Sequence, residues 1–220
     1  MSKIMEFKIL NIYLALCTFS FFFYNKKNKG KVDVVILYGC DMNWKECKSL
    51  IYRDLKQIGG GNLWYRLLTN PSFKITFWYR IGRFLLLNNH RFLLAFVKLI
   101  HRHHETKYGI QVSFSNDIGG GLCFAHFSCI VIGCEKIGKN LTIYQGCTIG
   151  GVHGKGAPTI GDNIVMYAGA KVVGKIKIGN NVVIGANAVV VDDVPDNAVV
   201  VGVPGKVVSY DASKITKYFN

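Results

Sequence analysis

The stretch that decides the fold runs from residue 160 to residue 190 and reads IGDNIVMYAGAKVVGKIKIGNNVVIGANAVV. An aliphatic residue or methionine recurs at every sixth position of this stretch. The same spacing links Ile118 to Phe124, and it links Ile137 to Ile143 and Ile149. A period of six fits neither an α-helix nor an alternating strand, but it is typical of a parallel β-helix.

Four of the hexapeptides share one pattern, in which isoleucine and glycine are followed two positions later by asparagine. They begin at Ile137, Ile160, Ile178 and Ile184. Three hexapeptides make one triangular coil, with the aliphatic residues inside and Gly or Asn at the corners, where a left-handed backbone is accessible. The sequence therefore predicts a mainly β protein, a left-handed parallel β-helix whose stacked coils complete each other's hydrogen bonds.

The six-residue register breaks at two places. One residue is inserted between Phe124 and Ile137, and about five extra residues lie between Ile149 and Ile160. A β-helix accommodates extra residues at its corners, so the second, glycine-rich insertion is expected to project as a loop. Loops on a rigid scaffold are common places for binding sites.

The chain before the repeat has a helical pattern. Asn43 and Glu46 have the spacing of a capping box, and apolar residues then follow at helical intervals until three glycines from Gly59. Further helices are predicted at about 63–68, 72–87 and 91–104. We therefore divide the chain into an N-terminal extension (1–41), an α-helical segment (42–108), the β-helix (109–210) and a tail (211–220).

The N-terminal extension contains an apolar stretch from Ile9 to Tyr24, flanked by lysines on both sides. Sixteen residues are few for a membrane span, and no small-residue cleavage site follows. Three interpretations stay open: an anchor, a targeting signal, or an upstream extension before a functional start at Met42.

The basic charge belongs to the first half of the chain. Residues 1–104 contain 17 Lys or Arg against 5 Asp or Glu, whereas residues 105–220 contain 10 against 8. No nucleic-acid-binding motif accompanies this charge, which disfavours a nucleic-acid partner. The basic residues alternate with aromatic ones, as from Phe73 to Arg80, which suits either the face of an anionic membrane or packing between helices.

The seven cysteines form no C-x-x-C pair and no zinc-type cluster, and their odd number favours reduced thiols. This usage predicts a cytoplasmic protein, located at the inner face of the cell membrane if the basic helices contact lipid. No metal site is predicted.

The segment from Gly109 to Lys206 resembles the serine acetyltransferase family of hexapeptide acyltransferases. The most specific signals are GLCFAH at 121–126 and TIGG at 148–151. The resemblance is nearest to the branch associated with capsule and exopolysaccharide synthesis. It implies an acetyl-CoA-dependent O-acetyltransferase, assembled as a homotrimer or a dimer of trimers.

By this resemblance His126 is the catalytic base, which removes the proton from the acceptor hydroxyl as it attacks the thioester. Ala168 and Ala186 occupy positions where the family places backbone against the pantetheine arm of CoA, and Lys206 is expected near the nucleotide phosphates. His153, in the projecting loop, is a candidate acceptor contact. The other histidines, including His101, His103 and His104, are expected to be solvated.

Two departures from the family pattern concern the acceptor. Serine-specific members have aspartates where this chain has Gln111 and Ala125, and neither residue here can neutralise the ammonium of serine. We therefore predict transfer to a hydroxyl of a surface-polysaccharide sugar precursor, with Gln111 and His153 contacting it. Serine O-acetylation and a non-catalytic membrane-associated scaffold are the alternatives. A metal-dependent hydratase is disfavoured, because the repeat contains only His126 and His153 where three histidines are needed.

Overall fold

The computed structural model describes residues 42–152 and 156–211. The predictions for the N-terminal extension, for His153 and for the end of the tail therefore lie outside the described residues. Four helices come first: α1 (Trp44–Gln57), α2 (Leu63–Thr69), α3 (Pro71–Leu87) and α4 (Arg91–Tyr108). No helix in the part of the chain that the structure describes is long and apolar enough to cross a membrane.

The helix boundaries follow local signals. The capping box of α1 is confirmed, because the Asn43 side chain accepts a hydrogen bond from the Glu46 amide (2.9 Å) while the Glu46 carboxylate accepts one from the Asn43 amide (3.0 Å). Helix α4 is four residues longer than predicted. It ends where Gly109 adopts a left-handed backbone (φ 65°), a conformation that glycine takes without steric penalty.

Short strands follow the helices and form three sheets, which are the three sides of a parallel β-helix. The strands are β1 (Ile110–Val112), β2 (Asp117–Ile118), β3 (Cys123–Phe124), β4 (Ile130–Ile132), β5 (Lys136–Ile137), β6 (Leu141–Ile143), β7 (Thr148–Gly150), β8 (Thr159–Ile160), β9 (Ile164–Met166), β10 (Lys171–Val173), β11 (Lys177–Ile178), β12 (Val183–Ile184), β13 (Val189–Val190), β14 (Val199–Val201) and β15 (Lys206–Ser209). Sheet A contains β1, β4, β7, β10 and β13; sheet B contains β2, β5, β8 and β11; sheet C contains β3, β6, β9, β12, β14 and β15. Among these described strands, β15 alone is antiparallel to its neighbour.

The six-residue period is confirmed as the core of the β-helix. All eleven periodic residues from Ile118 to Val190 are at most 3% exposed. Strand pairing stacks them in register, for example Phe124 on Ile143, then Met166 and Ile184 in sheet C. Each coil therefore buries its own apolar residues against those of the coils above and below.

Asparagines line one corner, as the repeat predicts. Asn140, Asn163, Asn181 and Asn197 all have φ between 54° and 61°. Their side-chain amides form a ladder, in which each Nδ2 donates to the Oδ1 of the next asparagine at 2.7, 2.9 and 3.0 Å. Asparagine suits this place because it tolerates the left-handed conformation and its amide is both donor and acceptor.

The register break before Ile137 differs from the prediction of one inserted residue. Strand pairing places Ile132 beside Ile149, so eight positions separate Phe124 from Ile132 and five separate Ile132 from Ile137. Sequence spacing revealed only the net change of one residue. In the structure, two extra residues widen the corner that directly follows Phe124.

The prediction that His101 is solvated is wrong. His101 is 4% exposed, and its Nε2 lies 3.0 Å from the carbonyl oxygen of Val112 in β1. Its ring also packs against Phe114, with centroids 4.6 Å apart. The longer α4 explains the error, because it carries this histidine along the side of the first coil. His103, in contrast, is exposed.

Candidate functional site

The corner that follows each strand of sheet C places the residues predicted for catalysis and cofactor binding on one line. Strand pairing aligns Phe124, Ile143, Met166 and Ile184, and the residues two positions further on are His126, Gln145, Ala168 and Ala186, one in each of four successive coils. Backbone hydrogen bonds continue through this corner, for example from Ala125 to Ile143 at 3.0 Å. We call this line of residues the sheet C corner.

His126 is exposed at the top of the sheet C corner. Its imidazole makes no hydrogen bond to any described residue, and its ring contact is an edge-on approach to Tyr144, with centroids 5.6 Å apart. The Tyr144 ring in turn lies 5.2 Å from that of Tyr167 in the following coil. The ring nitrogens of His126 are therefore free, and the Tyr144 ring contacts the imidazole from the side of the next coil.

The two extra residues of the first coil lie in the segment that carries His126. This segment includes Phe127, which is 44% exposed and packs edge-on against Tyr108 at 5.5 Å. It ends at Cys129, which has a left-handed backbone (φ 50°). The widened corner gives the histidine and its neighbours more space than the tight corners of the later coils allow.

A buried ion pair attaches the helices to the first coil. Arg80 and Asp54 are both 1% exposed and meet through two hydrogen bonds, at 2.8 and 3.1 Å. The same Asp54 carboxylate accepts the amides of Gly121 and Leu122, both at 2.8 Å. Arg80 donates to the carbonyl oxygens of Ile118 and Gly119. Burial alone lowers the pKa of Arg80, but the charge of Asp54 and its hydrogen bond raise it, so the guanidinium stays charged.

Two further polar contacts strengthen the attachment of the helices to the first coil. The hydroxyl of Ser72, at the start of α3, accepts the amide of Phe124 at 3.0 Å, two residues before His126. Arg83 pairs with Asp117 at 2.8 Å. The helices thus satisfy backbone groups of the first coil that have no earlier coil to pair with, and they fix the strand that leads into the site.

Sequence reasoning missed the roles of Asp54, Ser72 and Arg80. One signal was present: Asp54 is the last acid before Glu105, and it lies on the same helical face as Ile51, Leu55 and Ile58. A carboxylate on an apolar face indicates a buried partner. Its partners are 26 to 68 residues away in sequence, which is why the pairing itself could not be predicted.

The thiol of Cys123 is a weak nucleophile at neutral pH. Cys123 lies in β3, and burial, followed by the nearby charge of Asp54, raises the pKa of its thiol to about 11. A protonated thiol is a weak nucleophile. A covalent intermediate on Cys123 is therefore disfavoured.

Two other predicted site residues, Lys206 and Gln111, lie outside the line that defines the sheet C corner. Lys206 is exposed on β15, opposite Val201, at the far end of sheet C. Gln111 is exposed on β1 of sheet A, and its neighbour Val131 belongs to the strand that follows the His126 corner. His153 is outside the described residues, and Val152 pairs with Gly156.

Within residues 42–152 and 156–211, no group of three or more His, Cys, Asp or Glu side chains is arranged to hold a metal ion.

Comparison with known proteins places this geometry in a family. A serine acetyltransferase of Staphylococcus aureus (strain Mu50) is 48% identical over 117 residues, which cover 51% of this chain and 54% of that protein. The crystal structure of Neisseria gonorrhoeae serine acetyltransferase in complex with serine superposes with a TM-score of 0.64 at 32% identity, covering 74% of this chain and 69% of that one. The chain belongs to the serine acetyltransferase family.

A second solved structure, a serine acetyltransferase in complex with CoA, has a TM-score of 0.65 and 27% identity, and the match covers 75% of this chain and 71% of that one. No protein-family model matches the chain. The chain spans about half the length of the Staphylococcus aureus relative. Assignment to the family confirms the predicted fold class, whereas placement in the capsule and exopolysaccharide branch stays a prediction.

Proposed function

We propose that the protein is an acetyl-CoA-dependent O-acetyltransferase in which His126 is the general base. The observation that carries this proposal is the alignment of His126, Ala168 and Ala186 along one corner, with Lys206 at the end of the same sheet. Three residues far apart in sequence, each expected from the family pattern to serve acetyl transfer, thus lie at one corner, and a fourth lies at the end of the same sheet.

The sheet C corner has the shape that an extended cofactor arm needs. Adjacent strands lie 4.7–4.9 Å apart, so five steps separate β3 from β15 by about 24 Å. Ala168 and Ala186 have side chains small enough for a pantetheine arm to lie against the backbone, and Lys206 supplies a charge for the phosphates. The solved relative in complex with CoA supports acetyl-CoA as the donor.

The reaction follows from a free imidazole beside a thioester. His126 accepts the proton of the acceptor hydroxyl while that oxygen bonds to the thioester carbonyl carbon. The tetrahedral intermediate then collapses, the carbon–sulfur bond breaks, and the proton held by His126 passes to the CoA thiolate. The products are an O-acetyl ester and CoA, and no metal or covalent enzyme intermediate is needed.

Tyr144 positions the catalytic imidazole in this mechanism. His126 has no carboxylate partner among the described residues, and the edge-on ring of Tyr144 provides its aromatic contact. Such pairs contribute about 0.5–1.5 kcal/mol beyond the area they bury. Tyr144→Phe keeps the ring and is expected to retain kcat, whereas Tyr144→Leu is expected to lower kcat about tenfold with little change in the KM for acetyl-CoA.

Serine is the first candidate acceptor. The Staphylococcus and Neisseria relatives are serine acetyltransferases, and the Neisseria structure contains serine. This support outweighs the two sequence departures that predicted a sugar acceptor.

A neutral sugar hydroxyl is the second candidate acceptor, and one observation favours it. Gln111 and Ala125 stand where serine-specific members of the family have aspartates, so they offer no carboxylate to the ammonium of serine, and burying an unpaired charge is costly. A surface-polysaccharide precursor carries no such charge on its reacting sugar. We keep the homotrimer, or dimer of trimers, as the proposed assembly for either acceptor.

A competition assay tests the function and the acceptor together. The full chain is incubated with acetyl-CoA and equal concentrations of serine and a nucleotide-linked sugar, and both acetylated products are quantified by mass spectrometry. Predominant O-acetylserine supports the first candidate, and predominant acetylated sugar replaces it with the second. Absence of both products, together with no release of CoA, would favour the non-catalytic scaffold.

A further inference from the structure

Helix α4 exposes a long apolar stripe. Phe92, Phe96 and Leu99 are spaced four and three residues apart, so they lie on one side of the helix. They are 79, 66 and 69% exposed, although most side chains of this size are largely buried in a folded protein. The opposite side of α4 packs inward through Leu94 and Val97.

A basic stripe runs beside the apolar one. Arg91, Lys98 and Arg102 are spaced seven and four residues apart, so they also share one side of the helix, and all three are exposed. The helix contains one acid, Glu105, whose carboxylate accepts the amide of Val112 at 2.9 Å. The basic residues of the stripe therefore outnumber the acids of α4 by three to one.

The charge of the surface indicates what covers it. A symmetric contact between this face and the same face of a second copy would bring two basic stripes together, and the residue 1–31 segment is also lysine-rich. Like charges oppose both contacts. An apolar stripe beside a basic one is instead the pattern of a helix that lies in the plane of an anionic bilayer.

We infer that this face of α4 is a docking surface for an anionic lipid bilayer. Phe92, Phe96 and Leu99 insert among the acyl chains at the interface, while the basic stripe contacts lipid phosphates. The inference does not depend on the proposed acetyl transfer, because none of these residues lies on the sheet C corner. It replaces the earlier, broader prediction, since the stretch from Phe73 to Arg80 that also suggested a membrane face is largely buried.

Vesicle binding measures the charge requirement. The full chain is expected to co-sediment with vesicles of phosphatidylcholine and phosphatidylglycerol more strongly than with phosphatidylcholine alone. Lys98→Gln combined with Arg102→Gln should weaken binding to the anionic vesicles about 30-fold. Lys175→Gln combined with Lys177→Gln removes the same charge from the β-helix and should leave binding unchanged. Equal binding by both double variants would overturn the inference.

Photocrosslinking identifies the contact directly. Phe96→p-benzoylphenylalanine in the full chain is expected to form a lipid adduct on illumination with anionic vesicles. The same substitution at Tyr210, which is 67% exposed, is the control and should not. A crosslink from position 96 to a second chain or to the residue 1–31 segment would overturn the inference. So would crosslinking to nucleic acid supplied in competition, or the absence of any lipid adduct.

Discussion

The first coil and the later coils of the β-helix solve the same structural problem in different ways. In the later coils, backbone groups and corner asparagines bond to identical groups one repeat away. The first coil has no preceding repeat, so Asp54, Ser72 and Arg80 of the helices satisfy its amides and carbonyls instead. The later coils form a regular scaffold. The candidate catalytic histidine lies in the first coil, which has no preceding repeat.

The largest expected effect tests whether the first corner is the chemical centre. His126→Ala should reduce acetyl transfer by about two to four orders of magnitude, the range for one positioned acid–base group, while leaving the fold intact. His103→Ala removes an exposed histidine from α4 and should leave the rate unchanged. Rates are measured by CoA release, and near-normal turnover of the first variant would reject the mechanism.

The second prediction compares Asp54, which attaches the helices to the first coil, with an exposed acid of the β-helix. Asp54→Ala leaves a buried guanidinium without its counter-ion and two amides without an acceptor, and it should lower the free energy of unfolding by about 3–5 kcal/mol. Glu135→Ala changes an exposed acid of the β-helix and should stay within about 0.5 kcal/mol. Urea unfolding at one protein concentration measures the free energy of unfolding of both variants. Equal stability of Asp54→Ala and Glu135→Ala would contradict the role assigned to the ion pair.

A third variant addresses the later coils. Asn181→Ala places a less tolerant residue at φ 54° and removes the middle of the amide ladder, so it should destabilise the protein by about 2 kcal/mol. Asn181→Gly keeps the left-handed backbone accessible and should lose only about 1 kcal/mol. If Asn181→Gly and Asn181→Ala lose the same free energy of unfolding in urea, backbone conformation is not what selects asparagine at this position.

The smallest effect concerns the far end of sheet C. Lys206→Ala should raise the KM for acetyl-CoA about two- to fivefold with kcat nearly unchanged, because the phosphates are remote from the bond that breaks. Lys139→Ala, an exposed lysine at another corner, is the control. An unchanged KM in steady-state assays would show that other basic residues hold the phosphates.

Much of the β-helix could be predicted because its information is local. A side chain that points inward every six residues leaves a periodic signal, and the left-handed corners select Gly and Asn at fixed offsets. The helix starts were equally local, since Asn43 and Glu46 lie three residues apart. The family motif around His126 identified the candidate base before any geometry was known.

Only the tertiary structure revealed how that histidine is held. The contacts of Asp54 with Arg80, Gly121 and Leu122 join residues separated by tens of positions, and no periodicity encodes them. The widened corner after Phe124 was hidden because a gain of two residues and a loss of one give a net count of one. Sequence therefore determined the repeating scaffold and its chemical residue types, whereas long-range packing decided the attachment, the space around the site and the exposed face of α4.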